Sequence, residues 1–462
     1  MSTNNELIEK NIFKAYDIRG VVGKTLTDNT IIKIGQSIGS EALLNNQKDI
    51  CVGYDGRLSS PHLLSLLTEG LISTGINVIN IGLVTTPMLY FSTHNLATKS
   101  GVMITGSHNP PEYNGFKIMI NEKTLSAEDI QNLYHRIIKK EYLVGKGEIS
   151  TINIKPHYLK KICNSINLAR TIKVAIDCGN GASSVCAKEL FSKIGVKVES
   201  LFCDVDGSFP NHHPDPSKPE NLADLQKILS TGDSELGLAF DGDGDRLGVV
   251  TKKGEIIYPD RQLLLFAEDI LKKNKGSSII FDVKSTRHLF KWIKDRGGVP
   301  IIWKTGHSFI KAKMKETKSI LAGEMSGHIF FNDHWDGFDD GLYAGARLLE
   351  ILSNFDDPSG VLELLPKGFS TPELNIELNE GEQHILIKKL QKEATFPRAL
   401  NIIKIDGLRV EYSSGFGLMR ASNTTPVIVL RFEADTKADL DTIQKDFKLI
   451  LQKYINTNKI PF

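Results

Sequence analysis

The chain has 462 residues, a formal net charge of +1 and charged side chains at 24% of its positions. This length predicts three or four domains rather than one core, and the near-neutral charge argues against nucleic-acid and membrane-surface binding. No apolar run could span a bilayer, the first residues show no secretion signal, and the five cysteines lack metal-site spacing, so we expect a cytoplasmic protein with free thiols.

The first polar stretch, residues 16–20, contains Tyr16 and Arg19, which suit either a polar site or a solvated strand end. A helix capped near residue 27 or 28 follows, with isoleucines at helical spacing at positions 31, 34 and 38. Residues 51–55 then read as a strand that ends in a polar turn. Ser60 and Pro61 are typical of the cap and first residue of the next helix.

The segment from residue 104 to residue 110, Ile-Thr-Gly-Ser-His-Asn-Pro, is where reactive side chains first cluster. The apolar run Ser100–Ile104 predicts a buried strand, and the following glycine and prolines predict a sharp turn into an exposed loop. An exposed Ser107 beside His108, with Lys117 a few residues on, is a candidate nucleophile with acid/base assistance. Because a Ser-His pair alone is usually an ordinary turn, the assignment depends on the other loops.

One pattern, an apolar strand followed by aspartate, small residues and a helix, occurs three times. Its aspartates are Asp55, Asp177 and Asp282, and a later strand in each repeat leads into a loop rich in polar side chains. These loops are Thr105–Asn109, Asp241–Arg246 and Gly323–His328. The spacing predicts three copies of one α/β unit, each with its loop at the carboxyl end of its sheet, where α/β proteins bind ligands.

The loop after residue 240 carries Asp241, Asp243 and Asp245 in alternation with glycines. Three carboxylates at this spacing can turn toward one point, and such hard oxygen ligands suit Mg²⁺ or Ca²⁺. An EF-hand calcium loop is excluded because its required glycine and glutamate positions hold Arg246 and Lys252. Without a cation the clustered charges would repel one another, so we predict a divalent metal site.

Two later stretches are ambiguous when taken alone. The first, Gly323–His328, presents Glu324, Ser326 and His328 at alternate positions, a set of acceptors and donors that suits sugar hydroxyls. The second, Lys304–Ser308, includes His307 and opens a helix. Taken alone, the first stretch is more typical of a satisfied polar turn than of a binding site, and the second fits either.

After residue 367 the pattern changes to strand-like runs and a long amphipathic helix from about residue 437 to 454, which predicts a smaller α+β domain. The strand-like runs are Leu400–Ile405, Leu408–Tyr412 and Val427–Phe432. A loop between strands carries the residue types of a phosphate cradle: Arg420, Ser422, Asn423 and Thr424. The glycines near residues 23 and 179 lack the partners that ATP and dinucleotide fingerprints require.

These loops, in this order and over essentially the whole chain, resemble those of the α-D-phosphohexomutase superfamily, closest to its bacterial phosphomannomutase/phosphoglucomutase members. The resemblance implies an α/β protein with three similar mixed α/β domains and a smaller C-terminal α+β domain, heart-shaped around a central active-site cleft. We expect the domains at residues 1–152, 153–254, 255–367 and 368–462, carrying in turn the phosphoserine, metal-binding, sugar-binding and phosphate-binding loops.

The resemblance also implies roles for individual residues. Ser107 matches the phosphoserine and, with Asp241, Asp243 and Asp245, the Mg²⁺ ligands. The further catalytic candidates are His108, Lys117, Arg246 and His328. The substrate-binding candidates are Tyr16, Arg19, Lys284, His307, Glu324, Ser326, His328, Arg420, Ser422, Asn423 and Thr424.

The implied reaction is phosphoryl transfer between the 1- and 6-positions of a mannose or glucose phosphate, with hexose 1,6-bisphosphate as intermediate and activator. Lys117 and His328 are alternative acid/base groups. Competing readings are a phosphoglucosamine mutase, which Met325 argues against, and a metal-dependent phosphatase, which would need no phosphate loop at Arg420. A non-catalytic sugar-phosphate binder would not need Ser107. The expected partner is a small phosphosugar, with no nucleic acid, membrane or obligate protein partner evident.

Overall fold

A computed structural model describes residues 8–96, 98–423 and 425–462. The chain divides into two compact units: Met1–Pro259 with Ser326–Leu364 forms the first, and Asp260–Met325 with Leu365–Phe462 forms the second. Within the described residues, no helix is both long enough and apolar enough to cross a membrane.

The first sheet lies in the first unit and has the order β1-β5-β4-β2-β3-β7, with β6 paired to β5. Its strands are β1 (Ile18–Val21), β2 (Asp49–Tyr54), β3 (Asn77–Leu83), β4 (Gly101–Ile104), β5 (Tyr113–Ile120), β6 (Lys123–Thr124) and β7 (Ile149–Thr151), and its helices are α1 (Asp28–Leu44), α2 (Ser60–Ile72), α3 (Thr86–Asn95) and α4 (Glu128–Lys139). The isoleucines at 31, 34 and 38 are fully buried in its core, as the helical spacing predicts.

The first residues of α1 and α2, two helices beside this sheet, can be compared with the caps predicted from the sequence. Thr27 caps α1, because its hydroxyl accepts the Thr30 N–H, which confirms the first of the two predicted cap positions, 27 and 28. The residue preceding α2 is Ser59, whereas Ser60 was predicted as its cap. The Ser60 hydroxyl instead donates to Asp55 Oδ1 at 2.7 Å. A hydrogen bond to a charged carboxylate is stronger than a cap to a backbone N–H, so Ser60 does not cap the helix.

The second sheet also lies in the first unit, in the order β12-β11-β10-β8-β9. Its strands are β8 (Lys173–Asp177), β9 (Lys197–Leu201), β10 (Leu236–Phe240), β11 (Leu247–Thr251) and β12 (Ile256–Ile257), and the neighbouring helices are α5 (Lys155–Ser165), α6 (Ala187–Lys193) and α7 (Ala223–Thr231). The helix predicted from about residue 183 begins as a 3₁₀ turn, and α6 proper starts four residues later. Four such turns occur in the described chain: Lys10–Ile12, Ala182–Val185, Pro219–Leu222 and Thr457–Lys459.

In the second unit, three parallel strands follow the order β14-β13-β15. They are β13 (Ser278–Asp282), β14 (Val299–Trp303) and β15 (Leu321–Gly323), accompanied by α8 (Pro259–Lys273), α9 (His288–Asp295) and α10 (His307–Thr317). The next elements belong to the first unit: β16 (Ile329–Phe331), α11 (Gly341–Leu352) and α12 (Pro358–Glu363).

These three sheets share one topology, which confirms the predicted repeat. The strand orders β4-β2-β3, β10-β8-β9 and β15-β13-β14 are equivalent, and all of these pairs are parallel. In each sheet the central strand runs to one of the predicted aspartates: Asp55 directly follows β2, while Asp177 and Asp282 end β8 and β13. Parallel strands place the loops that follow them at one sheet edge, which is how residues distant in sequence become neighbours.

The fourth sheet, in the second unit, is antiparallel, with the order β17-β22-β21-β20-β19 and β18 paired to β22. Its elements are β17 (Phe369–Ser370), β18 (Leu374–Glu377), α13 (Glu382–Glu393), β19 (Asn401–Ile403), β20 (Leu408–Tyr412), β21 (Gly415–Ala421), β22 (Val427–Ala434) and α14 (Lys437–Leu451). Together with the three repeats, it establishes the predicted four-part α/β architecture with a smaller α+β part at the C-terminus.

One prediction for this sheet is wrong: Arg420 was placed in a loop, but it lies inside strand β21, paired with Val429. The glycines at 415 and 417 resemble a turn in the sequence. In the structure they lie beneath α14, where a side chain at Gly417 would meet the Phe447 ring at 2.4 Å. Their lack of a side chain therefore reflects close helix packing against a central strand.

Candidate active site

The serine loop follows β4, and its reactive residue Ser107 is buried rather than exposed as predicted, while Pro110 at the end of the loop is exposed. Ser107 is only 1% exposed, and its backbone has a φ of +49°, in the left-handed region. That conformation costs roughly 1–2 kcal/mol for a residue with a side chain, so contacts around the loop must hold it. Ser107 is buried because the aspartate loop packs directly against it. Gly242 of that loop lies so close that a Cβ atom there would be 2.4 Å from the Ser107 carbonyl oxygen.

The Ser107 hydroxyl lies between an acid and an imidazole. Its Oγ donates to Asp241 Oδ2 at 3.2 Å, and His108 Nδ1 lies 3.1 Å from the same oxygen. Burial, and then the nearby Arg246, keep the pKa of His108 well below its usual value. The sequence-predicted nucleophile is thus in direct contact with the predicted metal loop.

The three aspartates form one buried cluster. Asp241, Asp243 and Asp245 each offer a carboxylate oxygen, and these atoms all lie within 4.8 Å of one another. Lys117 Nζ donates to Asp243 Oδ2 at 2.6 Å and to Asp245 Oδ2 at 2.5 Å, while the Thr86 hydroxyl donates to Asp243 Oδ2 at 2.5 Å. Asp243 and Asp245 therefore share one ammonium group, that of Lys117.

A divalent cation fits this cluster on chemical grounds. Asp243 Oδ1 is buried and accepts no hydrogen bond from any residue that the structure describes, while the buried Asp245 Oδ1 lies 3.4 Å from His328 Nε2. A buried carboxylate oxygen without a donor is costly, and a hard cation is the partner that satisfies several such oxygens at once. The Ser107 hydroxyl, hydrogen-bonded to Asp241, adds a fourth oxygen beside them.

The pKa values within the cluster diverge. Burial, followed by the charges of Asp245 and Asp243, raises the pKa of Asp241 well above its usual value. For Asp245, burial acts in the same direction, but Lys117 and His328 outweigh it and hold the pKa well below the usual value. Burial alone would lower the pKa of Lys117, yet the three carboxylates raise it, so this side chain stays an ammonium.

Arg246 and His328 border the cluster on one side. The two residues form an isolated antiparallel bridge, and Arg246 Nε donates to His328 Nε2 at 3.3 Å. His328 Nε2 also lies 3.4 Å from Asp245 Oδ1, and its Nδ1 lies 2.8 Å from the Ser326 hydroxyl. The structure therefore brings His328 of the predicted sugar loop to the metal cluster, and Ser326 contacts that histidine.

Arg19, at the start of the first sheet, reaches the serine loop. Its guanidinium pairs with Asp17 and donates to Asn109 Oδ1 at 2.5 Å. Tyr16, three residues earlier, is partly exposed. Both candidates thus belong to the unit that holds Ser107.

Two candidates in the second unit, Lys284 and Arg420, are cations paired with carboxylates. Lys284 Nζ donates to Glu373 Oε1 at 2.6 Å, and Arg420 Nε donates to Asp406 Oδ2 at 3.0 Å. Burial opposes ionisation of Glu373, but Lys284 and the nearby arginines prevail and lower its pKa. Each predicted cation is therefore balanced by an acidic side chain that the sequence did not flag.

Glu324 and His307 are linked through the start of α10. Glu324 is 1% exposed, and its Oε1 accepts the Gly306 N–H at 2.5 Å, directly before buried His307. Near the end of β21, the Ser422 hydroxyl lies 2.9 Å from that of Thr425, and Asn423 is partly exposed. Thr424, also predicted as a substrate-binding residue, lies outside the described residues.

Sequence reasoning missed the residues that hold these groups in place. Asp55, Arg57 and His213 contact the serine loop, while Glu373 and Asp406 pair with the cations of the second unit. The recurrence of an aspartate at three strand ends was visible in the sequence and was a usable signal for Asp55. The other four have no local pattern, because their partners lie between 14 and 105 positions away.

Models of one protein family match four consecutive segments of the chain. They are described as phosphoglucomutase/phosphomannomutase alpha/beta/alpha domain I at residues 10–143, domain II at 156–254 and domain III at 258–367, and the C-terminal domain at 373–450. Together they span most of the sequence in the order that the repeat analysis predicts.

Whole-length relatives agree with these models. A phosphoglucomutase of Neisseria gonorrhoeae is 57% identical, covering 96% of this chain and 97% of the relative. A phosphomannomutase/phosphoglucomutase of Pseudomonas aeruginosa is 52% identical, covering 98% and 97%. A crystal structure of a phosphoglucomutase/phosphomannomutase family protein from Burkholderia thailandensis is 50% identical, with a TM-score of 0.93 over 97% of this chain and 98% of that one.

Proposed function

This chain belongs to the phosphoglucomutase/phosphomannomutase family, and we propose that it interconverts the 1-phosphates and 6-phosphates of glucose, mannose or both. The observation that carries the proposal is the buried Ser107 hydroxyl, hydrogen-bonded to an aspartate of a three-carboxylate cluster. A hydroxyl held against a cation site is the arrangement that serine-based phosphoryl transfer requires. The enzyme is accordingly a phosphotransferring isomerase with a small phosphosugar as its partner, and we place it in the cytoplasm.

Asp241, Asp243 and Asp245, with the Ser107 oxygen, would hold Mg²⁺. When bound there, the ion neutralises carboxylate charge and withdraws electron density from the phosphoserine. The chain contributes its own positive charge: Lys117 remains protonated between two aspartates, and Arg246 lies 3.7 Å from Asp241. These fixed charges favour the spread of negative charge in the transferring phosphoryl group.

In the forward step, phosphorylated Ser107 gives its phosphoryl group to the free hydroxyl of a hexose monophosphate. The P–O bond to Ser107 breaks and a P–O bond to the sugar forms, while the proton of the sugar hydroxyl passes, through an acid/base group of the site, to the freed Ser107 oxygen. The product, hexose 1,6-bisphosphate, then returns its other phosphoryl group to Ser107 and leaves as the isomerised monophosphate. Lys117 and His328 are both within reach of the cluster as proton-transfer groups, and Lys117, which is held as an ammonium, acts there first as a proton donor; His108 lies beside Ser107 Oγ.

We assign recognition of the non-reacting phosphate to Arg420, Ser422, Asn423 and Thr424, and recognition of sugar hydroxyls to Glu324 and Ser326. Lys284 and His307 in the second unit, and Tyr16 and Arg19 in the first, complete the proposed substrate contacts. An arginine fork recognises any phosphate dianion, and a carboxylate recognises any hydroxyl pair, so neither group distinguishes glucose from mannose at the 2-position.

A coupled assay on the purified protein tests this function. Glucose 1-phosphate and mannose 1-phosphate should be converted to their 6-phosphates with Mg²⁺ and a trace of glucose 1,6-bisphosphate, while glucosamine 1-phosphate is turned over more slowly. Free phosphate measured in the same reactions should stay below about 1% of product. Release of phosphate in proportion to substrate consumed would identify a phosphatase, and preferred turnover of glucosamine 1-phosphate would reassign the sugar.

A further inference from the structure

The backbone of the serine loop is held at four consecutive carbonyl oxygens, from Ser107 to Pro110. Arg57 Nη2 donates to Ser107 O at 2.8 Å and to Asn109 O at 2.6 Å, and its Nη1 donates to Pro110 O at 2.6 Å. The remaining carbonyl, that of His108, accepts a hydrogen bond from His213 Nε2. Two side chains therefore account for every peptide oxygen of the segment that carries the nucleophile.

Arg57 is itself fixed in position. It is 1% exposed, and its Nε donates to Asp55 Oδ2 at 3.2 Å. The same carboxylate accepts the Thr105 hydroxyl at 2.7 Å and the Gly106 N–H at 3.3 Å. Asp55 and Arg57 thus bind the loop from its first residue onward, one through donors and the other through carbonyls.

The loop sequence fits this guanidinium closely. A side chain at Gly106 would lie 2.5 Å from Arg57 Cζ and Nε, so only glycine leaves room for the guanidinium against the backbone. Four or more hydrogen bonds from one planar fork need that close approach, because its donors diverge in fixed directions. Lysine, with a single ammonium, could not reach all of these oxygens.

His213 belongs to the segment between β9 and α7, which also contacts the aspartate loop. The Gly242 N–H donates to Pro214 O at 3.1 Å, one residue beyond His213. His212 lies 3.0 Å from Asp177 Oδ2, the aspartate at the end of β8. The segment therefore ties the carbonyl of His108 to the same scaffold that holds the metal-binding aspartates.

We propose that Arg57 and His213 are positioning residues that keep Ser107 in its left-handed conformation, with Oγ directed at Asp241. A non-glycine residue stays in that conformation only where its surroundings over-determine it, and here the carbonyl contacts supply that constraint. Neither side chain hydrogen-bonds to the Ser107 hydroxyl in the described structure, so both act through the peptide backbone. The kinetic part of this inference rests on the proposed function, whereas its backbone part does not.

The first test compares Arg57→Lys with wild type. The variant keeps the buried charge but loses the fork, and a misplacement near 1 Å at a reacting atom costs on the order of 100-fold in rate. We therefore expect kcat for glucose 1-phosphate to fall about 100-fold while KM changes less than threefold. The rate at which glucose 1,6-bisphosphate phosphorylates Ser107, followed by intact mass, should fall in parallel.

Three further variants separate positioning from general stability. Arg347→Lys is the matched control, since Arg347 is also buried and lies in the same unit. It pairs with Asp333, which is not part of the serine loop. It should lower the melting temperature as much as Arg57→Lys yet keep kcat within twofold. His213→Gln retains an N–H for the His108 carbonyl and should keep most activity, whereas His213→Ala should lose about tenfold.

A measurement without substrate completes the test. Hydrogen exchange of peptides spanning residues 105–116 should accelerate at least tenfold in Arg57→Lys and His213→Ala, with exchange of residues 236–240 unchanged. The proposal is overturned if exchange and kcat in Arg57→Lys match wild type, if KM rises as much as kcat falls, or if Arg347→Lys loses equal activity. Wild-type protein without mutase turnover would refute the proposed function, and exchange would still decide the positioning role.

Discussion

The polar clusters of the two units differ in how their charges are balanced. In the first unit, Asp243 and Asp245 share Lys117, Arg246 lies 3.7 Å from Asp241, and the buried Asp243 Oδ1 has no hydrogen-bond donor among the described residues. In the second unit, Lys284 and Arg420 each rest on one carboxylate. An excess of buried negative charge demands a cation. In a one-to-one pair, by contrast, a phosphate can displace the carboxylate and bind the cation in its place.

The two units nevertheless use one device to shape their loops. Asp55 accepts the Thr105 hydroxyl and Gly106 N–H of the serine loop, and Asp282 accepts the Met325 N–H and the Thr305 hydroxyl in the second unit. Both aspartates stand at the end of the central strand of their sheet. The repeat therefore supplies a common anchor, and the difference in chemistry comes from the loops attached to it.

The largest effect should come from the nucleophile in the first unit. Ser107→Ala removes the group that becomes phosphorylated, so we expect turnover to fall at least about 10⁴-fold, as for other nucleophile deletions. Phosphate on the protein, measured by intact mass, should disappear. Ser126→Ala, a change on the same unit outside the cluster, should behave as wild type. Full mutase turnover by Ser107→Ala would refute the covalent mechanism.

Removing the metal tests the charge imbalance itself. Without a cation, phosphoserine faces three carboxylates at about 4 kcal/mol per close pair, for an effective dielectric constant near 20. Exhaustive chelation should abolish turnover, and Mg²⁺ should restore it.

A second readout does not depend on activity. Saturating Mg²⁺ should raise the melting temperature of wild type, since a ligand at 100 times its Kd stabilises by about 2.7 kcal/mol. Asp243→Asn should lose this shift, and Asp129→Asn, which alters an ion pair with Lys123 and a hydrogen bond from the Ser126 N–H outside the cluster, should keep it. An unchanged melting temperature in wild type would mean that the buried oxygens do not form a cation site.

The sequence predicted the elements that depend on local pattern. Buried strands, the Thr27 cap and the threefold recurrence of strand-end aspartates all follow from periodicity and capping chemistry within a few residues. The strand containing Arg420 was missed because its glycines reflect packing against α14, for Gly417 against Phe447, thirty positions away. Local pattern carries no information on such contacts.

The same limit applies to the candidate site. Ser107 and the aspartates stand in short, unusual motifs, and the structure places them in contact. The predicted exposure of Ser107 was wrong, because exposure depends on what packs over the loop, here Gly242 and its neighbours. Arg57, Glu373 and Asp406 are ordinary residues in ordinary stretches, and only tertiary contacts reveal what they hold.

Arg420→Ala tests the second unit. If the arginine grips the non-reacting phosphate, its loss should reduce kcat/KM by ~1.5–3 kcal/mol for glucose 1-phosphate and mannose 1-phosphate alike, because the fork does not contact the sugar. Arg398→Ala, in a partly exposed pair with Asp446, is the control and should change neither. A loss confined to one sugar would show that Arg420 reads the ring rather than the phosphate.

Glu324→Ala asks the same question of the sugar hydroxyls. Glucose and mannose differ only at the 2-position, so a carboxylate that contacts the shared 3- and 4-hydroxyls should weaken both substrates equally, again by ~1.5–3 kcal/mol in kcat/KM. Glu316→Ala, on the exposed side of α10, is the control. Unequal losses would place Glu324 at the 2-hydroxyl, and dual specificity would have to be abandoned.

The smallest effect, and the one that separates the two kinds of cluster, is expected for Glu373→Gln. The carboxylate pairs with Lys284 at 2.6 Å, and its side chain is 38% exposed, so the pair is worth at most about 1 kcal/mol. If a substrate phosphate displaces Glu373, neutralising it removes a competitor, and KM for glucose 1-phosphate should fall roughly two- to fivefold with kcat unchanged. Raising the salt concentration should reduce the difference in KM between Glu373→Gln and wild type, since it screens the competing charge.

Glu393→Gln is the control for this prediction. It changes an exposed carboxylate that accepts a hydrogen bond from Tyr454 in the same unit, and it should leave KM unchanged. A rise in KM would instead mean that Glu373 orients Lys284 for binding, and the second unit would then be preorganised in the same way as the first.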